Sequence, residues 1–442
     1  MPDQDRTPEA LDLASFLDAA RTPYHAVREV SRRLVAAGFQ AFRERDAWQV
    51  EPGTRGFVIR AGGSLVAFQV GTKPPADSGF VLIGAHSDSP NLRLKPSPDL
   101  TQVGYRQLSV EVYGGVLLST WLDRDLSIAG RVVFADGTAE LVDIERPVCR
   151  IPNLAIHLNR DVNNTGLVLN AQTHLLPVLG LEQSTGGLTE LLAECLGPTP
   201  SRGARAEDIL GFDLCLYDTQ RAAFAGQQNE FLFASRLDNL VSCHAALSAL
   251  LEATPDLEAT RVVAIYDHEE VGSQSAAGAR SHFMSDLLER LAGGFTTNDP
   301  SALPRAISRS LLVSVDMAHA VHPNYQDKHD KQHRPVLGAG PVIKVNVNQS
   351  YASDGPAVAA FSAACRAVDV VPQHFSSRND MPCGSTIGPI SAARLGLRAL
   401  DVGSPMLSMH SCREMAAASD VAPMIRVLQR VLSDFRGFDS AT

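Results

Sequence analysis

The chain has 442 residues, 45% of them hydrophobic and 20% charged, with 39 basic against 49 acidic side chains and a formal net charge of −10. That hydrophobic fraction excludes a mostly disordered chain, and the length suits two or three domains of roughly 150 residues each. An acidic surface without a run of Lys or Arg repels phosphate, which argues against nucleic acid as a partner.

The start, Met1-Pro2-Asp3-Gln4-Asp5-Arg6, is polar and lacks the basic and apolar regions of a signal peptide. No apolar run approaches the roughly 18 residues of a membrane span. The seven cysteines are odd in number, scattered and never spaced as CxxC, which speaks against a disulfide framework or a thiolate zinc cage. A cytoplasmic protein without a membrane partner is expected, and any metal in it is held by His and carboxylates.

Leu13, Phe16, Leu17 and Ala20, then Val27, Val30, Leu34 and Ala37, recur at helical spacing and predict two N-terminal helices broken at Thr22-Pro23. Short strands are predicted at 57–59, 65–70 and 80–84, the last nearly continuous in apolar residues as a buried central strand is. Between about 92 and 235 strand-like runs dominate, including 108–113, 130–134 and 214–217, which reads as a separate β-rich insert. An α/β rhythm then resumes: a helix at 241–253, a strand at 261–266, a helix near 282–291 and a strand at 311–315. Val421, Met424, Ile425, Leu428, Val431, Leu432 and Phe435 form the apolar stripe of a closing helix. Strands alternating with helices predict a mainly parallel, helix-covered sheet.

Three strand-like runs end in metal-competent side chains. Residues 81–85 lead into His86 and Asp88, residues 262–266 into Asp267, His268, Glu269 and Glu270, and residues 311–315 into Asp316. Open α/β sheets gather ligands at the carboxyl ends of their strands, so these residues can converge although they are far apart in the chain. His86 and Asp88 are two apart, which in extended chain lets the carboxylate orient the imidazole; the alternative is a plain strand end turning at Ser89-Pro90. Adjacent Glu269 and Glu270 can divide the work of ligand and general base, or form a solvated acidic turn. Asp238 precedes a helix and is either its N-cap or a carboxylate bridging two metals. His410 is a further ligand candidate or a buried, satisfied histidine. His86, Asp238, Glu270, Asp316 and His410 together suit an N/O divalent site, for zinc or manganese. There is no HExxH, since Gly272 occupies the place of the second histidine, and no P-loop or GxSxG elbow; Gly338-Ala339-Gly340 is an isolated GxG.

At these residues the sequence resembles the aspartyl aminopeptidase family of dinuclear zinc metallopeptidases, over nearly the whole chain. The resemblance is carried by Gly84-Ala85-His86-Ser87-Asp88-Ser89-Pro90, Ile151-Pro152-Asn153-Leu154-Ala155-Ile156-His157-Leu158, Ser235-Arg236-Leu237-Asp238-Asn239, Asp267-His268-Glu269-Glu270-Val271-Gly272-Ser273, Val315-Asp316-Met317-Ala318-His319-Ala320-Val321-His322-Pro323-Asn324, Arg378-Asn379-Asp380-Met381-Pro382-Cys383-Gly384-Ser385-Thr386-Ile387-Gly388-Pro389 and Met409-His410-Ser411. It implies an α/β metallo-aminopeptidase fold of the phosphorylase/hydrolase-like type. The α/β/α catalytic domain takes residues 1–91 and 236–442, and a β-rich dimerisation domain is inserted at 92–235.

The resemblance further implies that His86 and Asp316 hold one metal, that Glu270 and His410 hold the other, and that Asp238 bridges them. Glu269 falls on the general base and Asp88 on the carboxylate that orients His86. The implied cofactors are two divalent ions per subunit, zinc first, with manganese or cobalt as alternatives. The implied substrates are small peptides with N-terminal Asp or Glu. Lys344, one of only five lysines, falls on the substrate pocket with His319 and Tyr351. His157 falls on a histidine that reaches a neighbouring subunit's site, a direct metal role being the alternative, and the implied assembly is a homododecamer. Thr22-Pro23-Tyr24-His25 stands in place of Ser-Pro-Phe-His, and Asn153 where histidine is common. The alternative function is an aminopeptidase or amidohydrolase of the same architecture with broad or non-acidic specificity. A shell protein with a decayed site is disfavoured by the intact ligand set.

Overall fold

The computed structural model describes residues 7–184, 186–196, 208–254, 258–295 and 299–438, so the polar start at 1–6 lies outside the described residues. Helices Pro8–Ala19 and Pro23–Ala36 open the chain. Thr7 and Thr22 each cap a helix by accepting an N–H three residues on, and each is followed by proline in the first turn. Thr22-Pro23 is therefore a restart as well as a break, because threonine satisfies an orphan amide and proline needs none.

The main sheet has nine strands, in the order Gln40–Phe42, Arg55–Arg60, Ser64–Gln69, Thr260–Tyr266, Phe80–His86, Leu311–Val315, Arg398–Gly403, Val342–Lys344, Gln373–Phe375. Its four central strands, Thr260–Tyr266 through Arg398–Gly403, are parallel. Antiparallel pairings enter on either side of them, through Ser64–Gln69 and Val342–Lys344. The run Phe80–His86 is buried throughout. Val81, Ile83 and Ala85 enter the core formed with helices Pro8–Ala19, Leu237–Glu252 and Val421–Asp434; Phe80 and Leu82 enter the core on the other face, with Phe283, Leu287 and Ile387. Both faces are covered, so period-2 alternation selects between two apolar cores and the run reads as continuously hydrophobic. Helices Gly355–Ala367 and Ile387–Leu395 and the strand Arg398–Gly403 fill a stretch whose periodicity is weak.

A second, six-stranded antiparallel sheet runs in the order Ala139–Asp143, Leu126–Phe134, Ile209–Asp218, Asn91–Gln102, Tyr105–Tyr113, Val178–Leu181. Its alternating strands bury Leu92, Leu108, Ile128, Val132 and Leu214 in a separate core. A third sheet of five strands includes Pro405–Leu407 and Glu414–Ala417, whose connection carries His410. Among the described residues no helix is long and apolar enough to cross a membrane.

Candidate metal centre

The parallel strands Phe80–His86, Thr260–Tyr266 and Leu311–Val315 end side by side, with Tyr266 in register with His86 and Ser314 with Gly84. His86 therefore closes one strand while Glu269 and Glu270 follow its neighbour in the turn Glu269–Val271, and Asp316 follows the third. His268 adopts a left-handed φ of 65°, which turns the chain sharply after the buried strand.

Asp238 stands at the head of helix Leu237–Glu252, but its φ of −83° and ψ of 104° are extended. Its Oδ1 has no hydrogen-bond donor, so the carboxylate is not an N-cap. Instead its two oxygens face two imidazoles: Oδ1 lies 3.5 Å from His86 Nε2, and Oδ2 lies 3.3 Å from His410 Nε2. His86 Nε2 is also 3.3 Å from Asp316 Oδ1, and His410 Nε2 is 3.4 Å from Glu270 Oε2. The remaining Glu270 oxygen, Oε1, is buried without a donor.

These distances test the fit to a metal. Two donors each bonded at about 2.0–2.1 Å to one tetrahedral ion stand about 3.4 Å apart. The four nitrogen–oxygen contacts, 3.3–3.5 Å, match that spacing. Two buried carboxylate oxygens without donors would be costly in a site meant to stay empty. Donor atoms of His86, Asp238 and Glu270 all lie within 4.8 Å of one another. The residues suit divalent ions of borderline character, zinc above all.

These side chains open onto a cleft of about 480 Å³, also lined by Glu269, His319, Lys344, Tyr351, Arg280 and Thr386. Burial pushes Glu269 up to about 7; His86 opposes this, and the carboxylates of Asp316, Asp88 and Asp238 add to it. Glu270 is pushed well up by burial, with Asp238 adding to the rise. Burial works to raise Asp238 as well, but His410 and His86 hold it below the usual carboxylate range. Lys344, only 2% exposed, donates from Nζ to Asp316 Oδ2 and to the Met317 carbonyl, both at 3.1 Å, and lies 5.2 Å from the Tyr351 ring centroid.

Behind the cleft, Asp88 is fully buried and sits 3.4 Å from His86 Nδ1, which also contacts the Asp88 carbonyl at 3.0 Å. The same carboxylate accepts the backbone N–H groups of Glu269 and Glu270, each at 3.1 Å, and the Tyr113 hydroxyl at 2.6 Å. It thus ties two of the strand ends together. Glu414 does the equivalent for Asp238 and His410, accepting the N–H of Asp238 at 3.1 Å and of His410 at 2.8 Å. The Gly115 carbonyl lies 3.0 Å from His410 Nδ1.

The structure therefore brings His86, Asp238, Glu269, Glu270, Asp316, His319, Lys344, Tyr351 and His410 to one cleft, with Asp88 behind it. His157 does not line the cleft: it is exposed in the turn Ile156–Leu158. Sequence reasoning missed Tyr113, Gly115 and Glu414. The available signal was Gly114-Gly115 directly after an alternating strand, the mark of a close backbone approach. The Glu414 carboxylate acts on main-chain N–H groups and the Gly115 carbonyl is itself main chain, so neither is marked by the spacing of ligand side chains.

Comparison with known proteins agrees with this geometry. The family model described as aminopeptidase I zinc metalloprotease (M18) matches residues 16–431. A protein of Stutzerimonas stutzeri (strain A1501) named probable M18 family aminopeptidase 2 is 48% identical over 421 residues, covering 94% of this chain and 96% of that relative. Among solved structures, a chain of the Ape4 and Nbr1 complex superposes with a TM-score of 0.91 at 40% identity, covering 96% of this chain and 85% of that one. The S. cerevesiae mApe1 dodecamer gives a TM-score of 0.83 at 29% identity, covering 97% of each chain. On this match and this fold, the chain belongs to the M18 family of zinc metalloproteases and is a metal-dependent aminopeptidase.

Proposed function

We propose that the chain removes N-terminal residues, preferentially Asp and Glu, from small peptides with the help of two zinc ions per subunit. The observation that carries the two-metal reading is Asp238, whose two oxygens each face a different imidazole. His86 and Asp316 would hold one ion, Glu270 and His410 the other, and Asp238 would bridge them. When bound, such ions supply Lewis acidity toward the scissile carbonyl and lower the pKa of water. Glu269 stands free of that ligand pairing at the cleft wall, placed to accept a proton from the attacking water and return it to the leaving amine. Asp88 orients His86 through Nδ1, which leaves Nε2 to the metal.

The acidic preference rests on Lys344. In a protein of net charge −10, it puts a buried cation on a cleft wall crowded with carboxylates, and Arg280 lies at the same cleft. Two of the three ammonium hydrogens are used by Asp316 and Met317, which leaves one for a substrate carboxylate. That prior engagement is also the observation that favours a second reading, a broader specificity.

Self-association is supported by the segment around His157, where Leu154, Ile156, Leu158 and Val168 are 47–84% exposed. Apolar groups gathered in this way suit burial against another copy, which would carry His157 to a neighbouring cleft. The dodecamer named for the yeast relative is the assembly proposed, and the cytoplasm its location.

Glu269→Gln tests the chemistry: both metals stay bound while turnover falls at least about 10³-fold, a general-base contribution plus loss of water positioning. Turnover of Asp-, Glu-, Leu- and Ala-leaving substrates with added zinc, manganese or cobalt tests specificity. Equal or better Leu turnover sinks the acidic preference and leaves the aminopeptidase standing.

A further inference from the structure

The six-stranded sheet supplies none of the metal-competent side chains gathered at the cleft, yet one of its strands ends against three of them. Strand Tyr105–Tyr113 delivers Tyr113, 8% exposed, whose hydroxyl donates to Asp88 Oδ2 at 2.6 Å. The Arg93 guanidinium, from the adjacent strand of the same sheet, lies 3.7 Å over the tyrosine ring and holds it in place. Two glycines follow. A Cβ on Gly114, whose φ is +76°, would stand 3.1 Å from Glu270 Cβ, and one on Gly115 would stand 3.1 Å from His410 Nδ1. Both side-chain positions are thus closed by groups of the metal centre.

Beyond the glycines the segment is laced to the loop that carries His410. Leu117 N–H donates to the His410 carbonyl at 3.1 Å, and Cys412 N–H donates to Thr120 Oγ1 at 2.9 Å. Between them, the Gly115 carbonyl accepts from His410 Nδ1 at 3.0 Å. An imidazole that donates from Nδ1 presents a lone pair at Nε2, the atom that faces Asp238 and Glu270.

We propose that Tyr113-Gly114-Gly115 is a positioning element of the metal centre, through which a sheet without ligands of its own sets metal affinity. The tyrosine hydroxyl locks the Asp88 carboxylate, and through it His86 and the Glu269-Glu270 turn; the Gly115 carbonyl selects the ligating tautomer of His410. This rests on the ligand roles proposed above for His86, Glu270 and His410.

The test uses full-length protein stripped of metal, with zinc affinity measured by competition against a chromophoric chelator and with kcat and KM measured at saturating zinc. Tyr113→Phe keeps the ring and removes only the hydroxyl. It is expected to weaken zinc binding about 10- to 100-fold, the cost found when groups supporting a metal ligand are removed, with KM unchanged and the metal-free protein still folded. Gly115→Ala is expected to weaken zinc binding as well, by crowding His410. Zinc affinity and kcat within twofold of wild type in Tyr113→Phe overturn the proposal, whatever the folding of Gly115→Ala. Failure of the wild-type protein to bind zinc instead overturns the ligand assignment beneath it.

Discussion

Glu414→Gln is the substitution that asks most of the structure, because it alters no group able to touch a substrate. The carboxylate is buried, and each of its oxygens accepts one backbone N–H, from His410 at 2.8 Å and from Asp238 at 3.1 Å. A glutamine amide offers one acceptor oxygen and one NH₂ group. Whichever way it is placed, its NH₂ faces one of the two backbone N–H groups, so one bond is lost and a buried donor is left unpaired. Leaving a buried donor unsatisfied costs about 1–3 kcal/mol. The loss falls on the loops that set Asp238 and His410 relative to each other, so it is expected to appear as zinc affinity weakened by about 10- to 100-fold, in the range known for groups that support metal ligands. Chelator competition on metal-stripped protein reads the affinity, and kcat at saturating zinc reads what geometry remains. Zinc affinity and kcat both within twofold of wild type would refute the view that this one carboxylate holds the two loops in register.

Two other outcomes test separate parts of the reading. Lys344→Ala is expected to lower kcat/KM for Asp- and Glu-leaving substrates by about 10- to 100-fold, the worth of one charge-assisted hydrogen bond, while Leu- and Ala-leaving substrates change far less; an equal loss across the panel rules out recognition of the substrate side chain. His25, 1% exposed and 2.8 Å from Thr22 Oγ1, is lowered to about 4 by burial, with Arg28 adding to the effect. In the unfolded chain it takes up a proton near pH 6.5, so its contribution to stability is present above that pH and is lost as the pH falls toward 4. Guanidinium unfolding with chelator present should therefore show wild type losing about 2 kcal/mol more than His25→Gln between pH 7 and pH 5. Parallel losses in the two proteins refute it.

Much of the architecture was legible because burial writes itself into residue type. Largely apolar runs at 80–84, 262–266 and 311–315 became part of the parallel centre of the main sheet, since a strand covered on both faces has no fully polar side to show. The stripe from Val421 to Phe435 became helix Val421–Asp434, because one face of it packs on the core. The stretch that carries Gly355–Ala367, Ile387–Leu395 and Arg398–Gly403 was illegible, for small and mixed residues leave no clear period there.

At the site, the sequence by itself determined the cast. Metal-competent side chains directly after apolar runs are few, and strand ends in an open sheet must lie together, so His86, Glu269, Glu270 and Asp316 could be chosen without coordinates. Asp238 was open between cap and bridge; its extended backbone removes the cap, and the two imidazoles on either side of it support the bridge proposed above. Tyr113, Gly115 and Glu414 were decided by tertiary structure alone. They act through single hydrogen bonds across different sheets, contacts that no local periodicity encodes, because each bond is set by where the fold brings its partner and not by the neighbours in sequence.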